Sequence, residues 1–191
     1  MSWRERLFGP KRLRIDPFTL AEPWRRLVQD ALAADTQFRE AVGRTRAGPL
    51  RDRLADIGQR VSTGVGECWR VGQAGHALSR ARSRIDLAGL QRELADLHPA
   101  ADPTASATSV SIQARIDTAK RMDLTIAETR DHLRLLNARL DEAVTRAIEL
   151  SVSTATGDEL SSVGADLASI TSEVEALRQG LEAVQQLGTG E

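Results

Sequence analysis

The chain has no tyrosine, three tryptophans and three phenylalanines, so aromatic residues make up only 3% of its 191 positions. Compact enzymes use aromatic bulk to fill a core and line a pocket. Its scarcity points instead to thin seams of aliphatic side chains between helices. One cysteine, Cys68, excludes an intrachain disulfide and a cysteine-based zinc site. No apolar run approaches the ~20 residues of a membrane span. The first residues lack the continuous apolar stretch of a secretory signal. These shortages predict a cytoplasmic protein, soluble or peripheral on the inner face of the membrane. Lysine is scarce too: of 26 basic residues only Lys11 and Lys120 are lysine. Codon usage in a GC-rich bacterial genome accounts for such an arginine excess, which by itself says little about nucleic acid.

What is present is heptad rhythm. Leu160, Val163, Leu167, Ile170, Val174, Leu177, Leu181 and Val184 follow one another at alternating spacings of three and four. That places all eight on one helical face and predicts a helix–helix seam. The same rhythm recurs earlier, through Leu50, Leu54, Ile57, Val61, Gly64, Cys68, Val71, Gly75 and Leu78, with Leu87, Leu90, Leu94 and Leu97 beyond. It recurs again from Ile112 and Ile116 to Leu133, Leu136, Leu140 and Leu150, where a strict seam also holds Asp123 and Arg130. Either those two pair across the seam, or the helix rotates to turn Met122 and Thr129 inward.

The boundaries follow from turn chemistry. Residues 1–16 form a basic amphipathic N-terminal segment, and 17–187 form the helical body. Helices are expected over about 19–44, 49–98, 109–152 and 157–187. Thr19 to Glu22 and Thr156 to Glu159 are read as capping boxes, and Pro49 as a helix-opening proline. Residues 99–108, rich in Pro, Ser and Thr, form a linker, and 188–191 a frayed tail. The predicted fold is all-α: an elongated antiparallel helical hairpin or coiled-coil bundle of about four helices. Gly58, Gly64, Gly66, Gly72 and Gly75 fall inside the second helix, where each costs roughly 1 kcal/mol relative to Ala. Gly64, Cys68, Gly72 and Gly75 share nearly one stripe, which predicts a close helix crossing, with a kink as the alternative.

No constellation of reactive residues emerges. His76, His98 and His132 are far apart, and the Glu128/His132 pair lacks the repeated Glu-x-x-His of a di-iron bundle. Cys68 has no activating base in its own helical turn, and reads as a small buried thiol beside Trp69. The glycines lack a following Gly-Lys-Ser/Thr or a preceding strand, so no phosphate loop is read. No catalytic, cofactor or metal site is therefore expected, and no small-molecule substrate. Residues 44–84 hold many arginines, including Arg44, Arg46, Arg51, Arg53, Arg60, Arg80, Arg82 and Arg84. They spread around the helix among Asp52 and Asp56, which suits a solvated face better than a phosphate track. A nucleic-acid-associated coiled coil using 44–84 stands as the alternative function.

The N-terminal segment carries the strongest functional signal. Trp3, Leu7 and Phe8 supply apolar anchors; Arg4, Arg6, Lys11, Arg12 and Arg14 supply positive charge. Together they meet the requirements of a membrane-surface contact, each basic residue adding about 1 kcal/mol near anionic lipid. The competing reading is a strap packed on the helical body. A short amphipathic segment followed by a long helical hairpin is similar in outline to phage-shock-protein-A and ESCRT-III-like membrane-remodelling proteins. That resemblance is one of layout; it implies a role at a membrane surface and carries over no individual residue. Charge is also divided: residues 1–100 hold eighteen basic and twelve acidic side chains, residues 101–191 eight and fifteen. Halves of opposite sign attract within or between chains. The expected function is a non-enzymatic helical scaffold or interaction protein. It self-associates or binds a helical partner, chiefly through Leu167, Ile170, Val174 and Leu177, and docks at the inner membrane surface.

Overall fold

The computed structural model describes residues 15–43, 48–97, 103–152 and 157–188. A 3-10 turn, Pro17–Thr19, precedes helices α1 (Trp24–Gly43), α2 (Pro49–Ser83), α3 (Leu87–Asp96), α4 (Pro103–Val152) and α5 (Gly157–Gly188). No strand occurs among the described residues, and the protein is an all-α bundle, as the heptad rhythm predicts.

Side-chain contacts fix the directions. Trp24 meets Ser79 and Asp35 meets Ser62, so α1 and α2 are antiparallel. Cys68 meets Asn137 and Arg82 meets Asp123, so α2 and α4 are antiparallel. Arg146 meets Asp166 and Arg139 meets Glu173, so α4 and α5 are antiparallel. Glu67 meets Arg178, and a side chain at Gly64 would touch Thr171, so α2 and α5 run parallel. The result is an up-down-up-down bundle. Its inner pair is α2 and α4, with α1 packed on both from one side and α5 on both from the other. The 50-residue α4 extends about 75 Å. Beyond the end of α2 its first turns are covered by α3, through Leu90 against Ile112 and Ile116.

Glycine explains how closely the helices approach. A methyl group at Gly72 would lie 2.7 Å from Val28 Cγ2, and one at Gly58 would lie 2.9 Å from Phe38 Cε1. At Gly75 it would overlap the Trp24 ring. The Trp24 indole N–H is satisfied, donating to Ser79 Oγ at 3.0 Å. The small-residue stripe is thus a crossing surface: Gly72 and Gly75 admit α1, and Gly64 admits α5. α2 runs as one helix through all five glycines, so the kink alternative is not the one adopted.

A polar tie sits in this aliphatic core. Asn137, on α4, donates from Nδ2 to the Leu27 carbonyl of α1 at 2.7 Å. Its Oδ1 lies 3.6 Å from the Cys68 sulfur of α2, which donates to it. One buried amide therefore joins three helices. Two positions on α4 resolve the choice left by the sequence. Thr129 is buried and Met122 packs on the core, while Asp123 and Arg130 face outward, Asp123 to Arg82 and Arg130 to its neighbour Asp131. The helix rotates, because burying two charges in an aliphatic seam costs more than a small turn of phase.

Four boundaries differ from the sequence reading. The helix expected over 49–98 is two helices: Asp86 caps α3 by accepting from Gly89 N at 2.9 Å, which ends the run at Ser83. The capping box at Thr19 does not form. The Thr19 hydroxyl donates back to the Asp16 carbonyl at 2.7 Å, and α1 starts after Pro23, which disfavours helical geometry at Glu22. α4 begins at Pro103, inside the stretch read as the linker 99–108, since proline suits a first helical turn and the alanines after it propagate helix. Thr156, Glu191 and the rest of 189–191 lie outside the described residues, and α5 ends at Gly188.

Candidate functional site

The α5 seam is a helix–helix contact, but its partners are helices of the same chain. Leu160, Val163, Leu167, Ile170, Val174 and Leu181 are buried in the main core, together with α2 and α4 residues. The sequence reading expected Leu167, Ile170 and Val174 to seat a separate partner; they are instead buried within the chain's own bundle. Heptad spacing specifies that a face must be covered, and it does not say by which helix.

Towards the C-terminal end of α5 the seam opens. Leu177 and Val184 are only half-buried, and they form one wall of an open groove of about 530 Å³ between α4 and α5. α5 contributes Glu173, Ala176, Leu177, Gly180, Leu181 and Val184; α4 contributes Thr125, Glu128, Thr129 and His132. The cause is local. Further along α4, Leu133, Leu136 and Leu140 fill the interface, whereas Thr125 and Thr129 are too short to reach across. Gly180 adds nothing from the other side: no atom lies within 4 Å of where its side chain would be.

The rim is electrostatically uneven. Arg139 donates to Glu173 Oε2 at 2.7 Å, and Ser169 donates to its Oε1 at 3.1 Å. The Arg139 hydrogen bond, aided by Ser169, holds the Glu173 carboxyl below the usual carboxylate range. Glu128 is exposed and has no ion pair among the described residues. The Glu128/His132 pair thus lies at the groove edge. Among the described residues no cluster of three or more His, Cys, Asp or Glu is placed to hold a metal ion.

The remaining sequence candidates are placed as follows. Cys68 is buried, and desolvation pushes its thiol up to about 12. It donates to an amide and faces no base. Trp69 is in the core. His76 accepts from the Ala21 backbone N–H at 3.3 Å, fixing the turn before α1 against α2. Arg82 is held by Asp123 at 2.9 Å, and Arg70 pairs with Glu67. Arg44, Arg46 and His98 lie outside the described residues, as do Trp3, Arg4, Arg6, Leu7, Phe8, Lys11, Arg12 and Arg14. At the base of that N-terminal segment, Ile15 packs against the main core, whereas Phe18 is 72% exposed, with the Arg25 guanidinium over its ring at 5.9 Å.

Sequence reasoning missed Thr125, Glu173, Ala176 and Gly180. The signal was there in Ala176 and Gly180, four apart beside the seam, a pairing of small residues that leaves one helix face without cover. No helix among the described residues is long and apolar enough to cross a membrane. No family model, curated protein or solved structure matches this chain.

Proposed function

We propose that the protein is a non-enzymatic helical interaction protein. It takes a helical segment in the α4–α5 groove and attaches peripherally to an anionic membrane surface through residues 1–14. The observation that supports this most is the groove, where the heptad seam is only half-covered at Leu177 and Val184, on either side of buried Leu181. An apolar strip between two antiparallel helices, open to solvent, fits the apolar face of an amphipathic helix. The lining offers carboxylates, threonines and one imidazole but no cysteine or lysine nucleophile, and it stands open to water.

The membrane element rests on the residues themselves. Trp3, Leu7 and Phe8 lie among five basic side chains, and exposed Phe18 stands at the base of the segment. Co-sedimentation with phosphatidylglycerol vesicles tests it. The parent protein is expected to pellet, and Trp3→Ala/Phe8→Ala to stay in the supernatant. Equal pelleting of both, or of neither, would refute the membrane element.

A further inference from the structure

We infer that the helical segment taken by the α4–α5 groove is the chain's own N-terminal segment, residues 1–14, so that groove occupancy and membrane attachment exclude each other. The inference rests on the proposed function, and it names the groove's occupant.

Position supports it. The Ala21 N–H bonds to His76. His76 lies on α2 between Cys68, which meets Asn137, and Arg82, which meets Asp123. The start of the described chain is therefore level with the α4 turns that carry Thr125, Glu128, Thr129 and His132, which form one groove wall. Residues 9–14 alone span up to about 20 Å when extended, and the groove lies across α4 from α1, about two helix spacings of about 10 Å each. The segment can pass round the bundle and still place Trp3, Leu7 and Phe8 in the groove as a helical turn.

Chemistry supports it independently. Residues 1–14 carry five basic side chains against Glu5 alone. Both groove walls come from the half of the chain with fifteen acidic and eight basic residues, and Glu128 stands at the rim without an ion-pair partner among the described residues. Trp3, Leu7 and Phe8 fall within about 140° of one helical face, matching the strip of Ala176, Leu177, Gly180 and Val184. The apolar face that would enter lipid is the face that the groove would cover, so one surface serves both.

The test uses the full chain with a benzophenone amino acid in place of Leu7. Irradiation without lipid, followed by peptide mapping, is expected to give intrachain adducts on 125–132 or 176–184. Gly180→Leu puts a side chain into the groove from a position where a Cβ meets no atom within 4 Å, and an unchanged helical circular dichroism spectrum and melting transition confirm that the variant keeps the fold. It is expected to cut those adducts and to raise the vesicle-bound fraction roughly threefold, by freeing the segment. Adducts confined to other helices, or formed only between two chains, overturn the inference. So does a Gly180→Leu protein with unchanged adducts and unchanged vesicle binding. Groove adducts in a protein that never pellets with vesicles would uphold the occupant and refute the membrane element instead.

Discussion

Arg139 and Glu173 join α4 to α5 across 2.7 Å. One heptad in one direction along both helices, Arg146 meets Asp166. One heptad in the other, the equivalent positions are His132 and Gly180, both in the groove lining. The ladder of pairs therefore stops where glycine replaces an acidic residue, and there the groove begins.

Restoring that rung is expected to close the groove and stabilise the bundle. Gly180→Glu gains helix propensity and places a carboxylate one heptad from Glu173, opposite His132. It is expected to melt above the parent and above Gly180→Gln, and His132→Ala is expected to remove its advantage over Gly180→Gln. An advantage that survives His132→Ala would show that His132 does not face residue 180.

The Arg139–Glu173 pair carries a pH signature of its own. The Glu173 carboxyl is depressed below its ordinary value by Arg139. Its contribution is therefore fully present above the unfolded carboxylate range and is lost as pH falls through the depressed value. For this half-exposed pair the contribution is under about 1 kcal/mol. Glu173→Gln is expected to melt slightly below the parent at neutral pH, with the gap closing under acid conditions. A gap that widens on acidification would contradict the assignment.

The glycines of α2 separate into two groups. A methyl group at Gly75 would overlap the Trp24 ring, whereas one at Gly66 meets nothing within 4 Å. Gly75→Ala is expected to destabilise by about 1–3 kcal/mol through overpacking. Gly66→Ala is expected to stabilise by up to about 1 kcal/mol through propensity. Urea denaturation of the two variants measures both, and equal effects would refute the close crossing.

Leu167 distinguishes a core seam from a partner seam. Leu167→Ala is expected to cost about 2–5 kcal/mol in urea unfolding, because the residue is 1% exposed within the chain's own bundle. A variant that kept its stability and lost only self-association would restore the partner reading.

Cys68 offers a probe of bundle opening. Its thiol is buried and pushed up to about 12, so the native protein is expected to resist a thiol-specific disulfide reagent at about pH 8 and to react promptly in urea. Prompt reaction in the native state would place Cys68 outside the core.

The alternation of threes and fours determined the class of the fold, because a face of Leu, Val and Ile on a helix must be buried against another helix. The spacing also marked the positions that are buried, Leu160 to Val174 among them, and the small stripe of Gly64, Cys68, Gly72 and Gly75 as a crossing surface. Those are properties of one helix, and local sequence specifies them. Which helix covers which face is a choice among several apolar stripes of similar width, and only the tertiary structure decided it. It assigned the α5 seam to α2 and α4 of the same chain, cut the second helix at Asp86, and turned Thr129 rather than Arg130 inward. The groove arises the same way. Thr125, Thr129 and Gly180 are far apart in sequence, and a gap is a property of two surfaces brought together, which neither surface carries alone.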